Sequence, residues 1–378
     1  MKTIFIHDHV FAEFNGRFFS EGKLTDYTWS RYLKFTEELL VVGRRRLLKN
    51  AEQSLKLNET LSPNVSFSLI NSISLIDRAN AKKIDRFLEP LIEECDVVIC
   101  RLPSFLGTRA FKIAQKNNKK TLCEVVGCPY DALKTHGSFL GKLAAPIVAK
   151  QLKAIMRQTQ AAIYVTAEYL QSKYPTDGSW INASNVELKE HFIRASVSDV
   201  PTVVKFIGSL DASYKGLNDL IDALSILNDK GFDLKLHVLG SGSRQEYQKR
   251  VTEYGLQDKV HFFDPIPGGE AVLKWLAGGD LYVQSSHTEG LPRALIEAMS
   301  VGLPCVGTKV GGIPELLSPE ALCEAKAPSQ LAKSIERVLI DSDFRELQIE
   351  ANQRKASDYL YDILQSKRLK FIETIYRQ

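Results

Sequence analysis

The feature that most constrains the fold is an alternation of short apolar runs with helix-period stretches, which restarts near the middle of the chain. The apolar runs of the first half lie at residues 3–6, 39–42, 65–70, 97–100, 121–126 and 162–165. Helix-period stretches such as 81–94 and 107–117 separate them. Further runs follow at 203–207, 234–239, 260–263, 281–284 and 304–306. Because buried strands separated by helices form parallel sheets covered on both faces, this pattern predicts two doubly wound α/β domains.

The restart also predicts a domain boundary. Residues 195–201 (ASVSDVP) are small and polar and end in proline, as expected for a hinge linker. We therefore assign residues 1–198 to an N-terminal Rossmann-like domain and 199–356 to a C-terminal one, sizes that suit a chain of 378 residues. Residues 357–378 predict an amphipathic helix. Two such sheets leave a cleft at the carboxyl ends of their strands, where ligands usually bind.

Composition narrows the class of protein. A formal net charge of +4 gives no support to nucleic-acid binding as the main function. No apolar run approaches the roughly 20 residues that cross a bilayer, and the run at 3–6 is too short for a signal peptide. The six cysteines include no Cys-x-x-Cys pair, so reduced buried thiols are expected rather than a zinc site. We expect a cytoplasmic protein without a cofactor or a bound metal.

The segment 285–299 (SSHTEGLPRALIEAM) is the most informative about chemistry. It follows an apolar strand and opens a helix, with Pro292 suited to the first helical turn. The free N–H groups and the helix dipole at such a start suit a diphosphate. Glu289 and Glu297 have seven residues between them, so both carboxylates can face one groove and accept hydrogen bonds from hydroxyls. Two solvated surface glutamates are the alternative interpretation.

Two further turns belong to the same predicted sheet edge. Residues 307–317 (GTKVGGIPELL) form another glycine-rich turn into a helix. At the start of the domain, the strand 203–207 runs through Ser209 into Lys215 and Gly216. A lysine just past a strand end can bind phosphate as a point charge. The edge is therefore predicted to hold a phosphorylated ligand.

These motifs resemble the donor domain of the retaining family 4 glycosyltransferases, which have the GT-B fold. The match consists of KG at 215–216, EGLP at 289–292, EAM at 297–299 and GGIPE at 311–315. It is looser over residues 1–195. The resemblance implies a metal-independent transfer from a nucleotide diphosphate sugar, with retention, to a saccharide or lipid-linked saccharide, in cell-surface polysaccharide or glycolipid synthesis. It also implies that the C-terminal helix crosses back onto the first domain.

The resemblance assigns roles to individual residues. It implies that Glu297 holds the donor ribose, that Glu289 holds the transferred sugar and that Lys215 binds the diphosphate. Glu289 and Lys215 would act in catalysis. The front-face mechanism of the family uses the leaving diphosphate to take the acceptor proton and needs no protein nucleophile. Further donor contacts are expected from Gly290, Leu291 and the loop of Ile266.

One position departs from the family pattern. Ser209 stands where most relatives have an arginine that accompanies the lysine on the diphosphate. A serine donates one neutral hydrogen bond and brings no charge. Arg293, four residues after Glu289, is the candidate replacement. The alternative is that the Arg293 side chain lies in solvent, and this is the favoured interpretation because most arginine side chains in proteins are exposed.

The acceptor side is less well marked in the sequence. The strand at 121–126 lacks the histidine that many relatives carry, and Glu124 is the polar residue nearest to that place. Residues 14–22 and 27–32 are rich in aromatic residues and arginine, which suits stacking on sugar rings. We therefore take Gly16, Trp29, Arg31 and Glu124 as acceptor candidates. Packing of these segments onto the domain core is the alternative.

Residues 138–160 predict a helix with an apolar stripe and basic neighbours. A basic amphipathic helix can lie in a membrane interface, which would make the protein peripheral at the inner face of the membrane. An ordinary Rossmann helix that buries its stripe in the core shows the same pattern, and core packing is the favoured interpretation.

Other function classes fit the sequence less well. A dinucleotide-dependent oxidoreductase needs Gly-x-Gly-x-x-Gly after its first strand, and IHDH at 6–9 lacks it. A glycoside hydrolase needs two carboxylates that flank the scissile bond, which two glutamates along one helix start do not provide. A sugar-nucleotide epimerase of the same architecture and a non-catalytic GT-B sugar-nucleotide-binding protein remain the alternatives.

Overall fold

The computed structural model describes residues 1–21, 24–55, 57–71, 78–136, 138–188 and 200–376. The predicted hinge at 195–201 lies outside these residues except for its last two positions. The strands of the first half are β1 (Lys2–Phe14), β2 (Arg17–Ser20), β3 (Glu38–Leu47), β4 (Asn58–Glu59), β5 (Val65–Asn71), β6 (Val97–Leu102), β7 (Lys120–Val125), β8 (Ala161–Tyr164) and β9 (Ser179–Asn182). Those of the second half are β10 (Val203–Ile207), β11 (Lys235–Leu239), β12 (Val260–Phe263), β13 (Leu281–Gln284), β14 (Cys305–Thr308) and β15 (Leu322–Cys323).

The helices alternate with these strands. The first half contains α1 (Asp26–Leu33), α2 (Arg78–Glu93), α3 (Phe105–Lys116), α4 (Pro129–His136), α5 (Phe139–Gln158) and α6 (Tyr169–Lys173). The second half contains α7 (Leu217–Asp229), α8 (Gln245–Glu253), α9 (Glu270–Ala277), α10 (Arg293–Ser300), α11 (Pro328–Ile340), α12 (Ser342–Ser357) and α13 (Tyr361–Tyr376). Every apolar run predicted as a strand is found as one, and most ends differ by a few residues, β1 being the main exception.

Each half forms a doubly wound sheet, as the alternation predicts. In the first sheet the strands pair in parallel in the order β5-β3-β1-β6-β7-β8-β9. The second sheet is parallel in the order β12-β11-β10-β13-β14-β15. The order reverses between β1 and β6 in one sheet and between β10 and β13 in the other. Ligands bind outside the carboxyl ends of the strands at such reversal points, so the loops after β10 and β13 are placed for a site.

The start of the first sheet differs from the prediction. We expected β1 to stop before His7, but it continues to Phe14 with a shift of register between Ile6 and Val10. Its end then forms an antiparallel hairpin with β2. The turn places both Asn15 and Gly16 in the left-handed region, with φ of 50° and 75°, as a two-residue hairpin requires. An Asn-Gly pair between strand-forming residues is the sequence signal for this hairpin.

The helix α5 is apolar on two sides, so the favoured core interpretation of residues 138–160 holds for one side and is wrong for the other. One side is buried and includes Leu152, Ile155 and Met156. The other side leaves large apolar side chains in solvent, with exposed fractions of 77% for Phe139, 70% for Leu140, 59% for Leu143 and 70% for Ile147. At 3.6 residues per turn these positions fall within about 100° of one another. The stripe therefore has more apolar surface than the core covers.

The C-terminal helix α13 packs against the first sheet. The Tyr376 hydroxyl donates a hydrogen bond of 2.6 Å to the carbonyl of Thr121. Arg368 is buried and donates to the carbonyls of Ala183 and Ser184. Ile363 of this helix is 50% exposed, and the buried side carries hydrogen-bonding groups such as Arg368 as well as aliphatic ones.

All six cysteines are buried and free, as predicted. Within the described part of the chain, no helix is both long enough and apolar enough to cross a bilayer.

Candidate active site between the two sheets

The loop after β13 carries Glu289 and leads into α10. Pro292 precedes the helix in an extended conformation, with φ of −73° and ψ of 113°, and α10 begins at Arg293. The proline therefore lies one residue earlier than the first helical turn in which we placed it. Glu297 lies inside the helix. Both carboxylates of the predicted pair thus belong to one loop-helix unit at the reversal point of the second sheet.

Glu289 and Lys215 meet in an ion pair. The Lys215 Nζ lies 2.6 Å from Glu289 Oε1, and both side chains are mostly buried. The same oxygen accepts hydrogen bonds from the Ser286 hydroxyl at 2.8 Å and from the Gln284 amide at 3.2 Å. All three bonds converge on Oε1, so the carboxylate has a fixed orientation and Oε2 remains outside this set.

Glycine brings the lysine turn close to the glutamate loop. Gly216 directly follows Lys215 and has φ of 73°, and a Cβ there would come within 1.9 Å of the Ser285 carbonyl oxygen. Ser285 in turn donates its hydroxyl to the carbonyl of Gly216 at 2.9 Å. Only glycine permits this approach, which explains the Lys-Gly pair of the motif in physical terms.

The second glycine-rich turn supports the Glu289 loop from the other side. Gly311 has φ of 57°, and a Cβ there would lie 2.1 Å from the Glu289 carbonyl oxygen. The Gly312 N–H donates to the Gly290 carbonyl at 2.7 Å. This N–H therefore holds the loop and is not a free donor at the sheet edge. Glu315 likewise accepts hydrogen bonds from the backbone N–H groups of residues 167–169 and connects the two halves of the chain.

Glu297 is partly buried on α10. Burial raises the pKa of its carboxyl, the positive charge of Arg293 opposes the rise, and the negative charge of Glu187 adds to it. A carboxylate in this setting lacks much of its hydration, so hydroxyl donors from a ligand would stabilise it.

A cavity of about 290 Å³ lies between the two halves. It is lined by Thr28, Arg31, Arg101, Val126, Val165, Asn185, Glu187, Glu289, Gly290, Leu291 and Arg293. Gly290 approaches the first half so closely that a Cβ there would lie 2.5 Å from the Val126 carbonyl oxygen. The cavity therefore joins four predicted donor residues to residues of the first sheet.

The remaining donor candidates lie around this unit. Ser209 is exposed in the loop after β10, and Ile266 is partly exposed in the loop after β12. Leu291 is buried and lines the cavity, and Arg293 lines it with an exposed side chain. The exposure of Arg293 agrees with the favoured interpretation of that residue.

The acceptor candidates separate into one that faces the cavity and three that do not line it. Arg31 is buried and lines the cavity. Trp29 is fully buried against Phe5 and Phe11, because α1 turns its aromatic side toward the core, so its assignment to the acceptor is wrong. Gly16 lies at the tip of the β1–β2 hairpin, where its role is the turn.

Glu124 is also buried and does not line the cavity. It accepts a hydrogen bond of 2.7 Å from the Tyr32 hydroxyl and pairs with Arg101 at 3.3 Å. Its assignment as a direct acceptor contact is therefore corrected: it positions Arg101, which does line the cavity.

Sequence reasoning missed Arg101, Asn185 and Glu187. Arg101 lies near the carboxyl end of β6, which we expected to end at Cys100, so its position at the edge of a parallel sheet was available as a signal. Asn185 and Glu187 follow β9, a strand that the apolar pattern did not indicate because Ser179 and Asn182 are polar and Trp180 is 47% exposed.

Comparison with known proteins identifies the family of the chain. A family model described as "Glycosyl transferases group 1" matches residues 189–355. Protein CapJ of Staphylococcus aureus is 32% identical over 375 residues, which cover 98% of this chain and 94% of that protein. The chain belongs to the group 1 glycosyltransferases.

Other relatives extend the comparison. The putative colanic acid biosynthesis glycosyltransferase WcaL of Salmonella typhimurium is 31% identical over 173 residues, 43% of this chain and 42% of that protein. The structure of HepE from Anabaena in complex with UDP-glucose superposes with a TM-score of 0.68 at 16% identity, over 99% of this chain and 100% of that one. The predicted GT-B fold, with two Rossmann-like sheets, is confirmed.

Proposed function

We propose that this glycosyltransferase moves a sugar from a nucleotide diphosphate sugar to a hydroxyl acceptor, with retention, in cell-surface polysaccharide or glycolipid synthesis. The observation that carries the proposal is the Lys215–Glu289 pair of 2.6 Å beside the start of α10, at a cavity shared by both halves. The relatives support the donor and the pathway, since HepE is seen with UDP-glucose and WcaL is named for colanic acid biosynthesis. The family 4 assignment rests on the motifs at 215–216, 289–299 and 311–315.

The geometry supports a separate role for each of the candidate donor residues. Lys215 and the N–H groups at the start of α10 stabilise negative charge on the leaving diphosphate. Glu289 accepts hydroxyls of the transferred sugar, and Glu297 accepts the ribose hydroxyls. Lys215 is paired with Glu289, so donor binding replaces this ion pair with two separate contacts: ammonium to diphosphate and carboxylate to sugar. Glu289 then meets the sugar in the orientation that Ser286 and Gln284 impose.

We also propose that transfer needs no metal, because Lys215 and the helix start supply the positive charge that a cation would otherwise bring. The test is a UDP-release assay on the full chain with UDP-glucose, UDP-N-acetylglucosamine and UDP-galactose in excess EDTA. Methyl glucoside and glucose 1-phosphate serve as hydroxyl acceptors, and the anomeric configuration of the linked product is read by NMR. We expect UDP release that persists in EDTA and an α-linked product from an α-linked donor. Loss of activity that manganese restores, or a β-linked product, would contradict the proposal.

The same assay separates the alternatives. An epimerase returns an isomerised nucleotide sugar. A non-catalytic binding protein binds UDP and releases none from any donor.

A second part of the proposal concerns location. We propose that the chain is a cytoplasmic protein that contacts the inner face of the membrane through α5. The exposed face made by Phe139, Leu140, Leu143 and Ile147 is continued toward the C-terminus of the helix by exposed basic side chains, Lys150, Lys153 and Arg157. Exposed apolar side chains followed by positive charge match the boundary between lipid chains and anionic headgroups.

Vesicle sedimentation tests this contact. The full chain is expected to sediment with phosphatidylglycerol vesicles, and Leu143→Glu with Ile147→Glu should weaken binding about a hundredfold or more, since each buried aliphatic side chain contributes about 1.5–3 kcal/mol. The matched control is Ile340→Glu with Leu347→Glu, which alters two equally exposed side chains on α11 and α12. Equal loss in both double variants, or no binding of the unaltered chain, would contradict the contact.

A further inference from the structure

Three arginines from three separate elements line the cavity. Arg31 comes from α1, Arg101 from β6 and Arg293 from the start of α10. The carboxylates in the lining are Glu187 and Glu289, and the charge of Glu289 is already matched by Lys215 at 2.6 Å. Arg31 is paired with Glu187 and Arg101 with Glu124, so together with Arg293 the wall keeps a small excess of positive charge.

Arg31 is held as a buried donor. Its exposed fraction is 5%, and its guanidinium donates to Asn185 Oδ1 at 2.9 Å and to Glu187 Oε1 at 3.1 Å. Its Nε is buried without a hydrogen-bond partner among the described residues. Because buried N–H groups are normally satisfied, the described residues leave this guanidinium with one donor to spare, on a side chain that lines the cavity.

Arg101 is also held in place by a buried carboxylate. Its side chain is 14% exposed and bonds to Glu124, whose other oxygen is fixed by the Tyr32 hydroxyl at 2.7 Å. That bond uses one of the five N–H donors of the guanidinium. Glu124 orients the guanidinium of Arg101, and the remaining N–H donors of that planar group can bind a second oxyanion.

A fourth arginine adds to the positive potential of this wall. Arg368 of α13 is buried and donates to Asn185 Oδ1 at 3.4 Å, the same oxygen that Arg31 uses. Burial, together with the positive charge of Arg31, lowers the pKa of Arg368 to about 10. Two guanidinium groups on one amide oxygen repel each other, so a bound anion would be stabilised by both.

We propose that Arg31 and Arg101 bind an oxyanion, a phosphate or a carboxylate, that is part of the acceptor. This inference rests on the proposed function. Both arginines belong to the first half of the chain, whereas the donor diphosphate is placed on Lys215 in the second half. Arg31 and Arg101 line the same cavity as Glu289, so the anion would orient the acceptor with its receiving hydroxyl toward the donor sugar. The substrate class is thus an anionic saccharide: a sugar phosphate, a uronic acid or a lipid-linked saccharide phosphate.

Calorimetric binding to the full chain saturated with UDP tests the inference. The titrants are inorganic phosphate, glucose 1-phosphate, glucuronate and, as the neutral counterpart, methyl glucoside. We expect at least one of the anions to bind more tightly than methyl glucoside. Arg101→Lys, which keeps the charge but loses the planar fork, should weaken that binding about tenfold or more, and Arg31→Gln should do the same. Arg86→Gln, an exposed change on α2, is the matched control.

Each outcome of the titrations decides a different point. Preference for phosphate over glucuronate, or the reverse, identifies the oxyanion. Unchanged anion affinity in Arg101→Lys and Arg31→Gln, or no anion binding to the unaltered chain at millimolar concentration, would overturn the inference. Competition between the anion and UDP would also overturn it, because the arginines would then belong to the donor site. Melting temperatures are measured first, and Arg101→Lys carries the test if Arg31→Gln does not fold.

This readout does not depend on transfer. Absence of UDP binding and of any glycosyl transfer would remove the proposed function, while titrations without UDP would still show whether Arg31 and Arg101 hold an anion.

Discussion

Glu297→Ala is expected to lower kcat/KM for the donor by about a hundredfold or more while leaving the chain folded. The carboxylate is proposed to accept two ribose hydroxyls, and hydrogen bonds to charged groups contribute about 1.5–3 kcal/mol each. Glu289→Ala should have an effect of similar size, since the carboxylate that Ser286, Gln284 and Lys215 orient would be lost. Donor kinetics and circular dichroism on each single variant and on the double variant check both results. Near-normal turnover of the folded double variant would exclude this site.

Glu297→Gln adds a test of the environment. Burial raises the pKa of Glu297 in the folded chain, so ionisation of this carboxyl lowers the free energy of unfolding. The loss of stability is absent at a pH below the pKa of the unfolded chain. It is complete at a pH above the raised pKa of the folded chain. The Glu297→Gln variant should therefore have a melting temperature no lower than that of the unaltered chain at neutral pH. Any gain in melting temperature should vanish in acid. A variant that is at least as stable yet poor with donor would separate the role in binding from a role in folding. A clear loss of stability would show that Glu297 supports the fold.

The second large effect is expected at Lys215. With serine at position 209, Lys215 is the main side-chain cation proposed on the diphosphate, and Lys215→Ala should weaken donor use about tenfold to a hundredfold or more. Ser209→Ala removes only a neutral bond and should cost about 0.5–1.5 kcal/mol. Arg293→Ala should be near neutral for the donor, because its side chain is exposed. Lys309→Ala, an exposed lysine on the other glycine-rich turn, is the matched control.

Steady-state donor kinetics on these four variants, each with its melting temperature, give the comparison. A loss in Arg293→Ala that approaches the loss in Lys215→Ala would mean that Arg293 replaces the missing arginine of the family. A larger effect of Ser209→Ala than of Lys215→Ala would mean that the diphosphate lies elsewhere.

Much of the second half could be predicted because its candidate donor residues lie close together in short sequence motifs. Glu289, Glu297 and the glycines around them lie in two loops and one helix start that follow adjacent strands, so knowledge of the sheet places them at one edge. What the sequence did not show is how closely the loops approach. The contact of Gly216 with Ser285 and the ion pair of Lys215 with Glu289 depend on the packing of turns about 70 residues apart.

The acceptor side was harder because its residues are scattered. Arg31, Arg101 and Glu187 come from a helix, a strand end and an irregular segment, and no local pattern relates them. Composition alone favoured aromatic residues as sugar contacts, but Trp29 is larger and more apolar than Arg31 and packs in the core. The α5 stripe failed for a similar reason: helical spacing reveals an apolar side but not whether anything covers it.

The most direct test of the donor site is a crystal structure of the full chain with UDP. We expect the ribose hydroxyls within about 2.7–3.2 Å of the Glu297 carboxylate and the diphosphate on Lys215 and the first N–H groups of α10. The Lys215–Glu289 ion pair of 2.6 Å should open or lengthen as the diphosphate takes the ammonium. A diphosphate bound instead to Arg31 and Arg101, with Glu297 far from the ribose, would contradict the account.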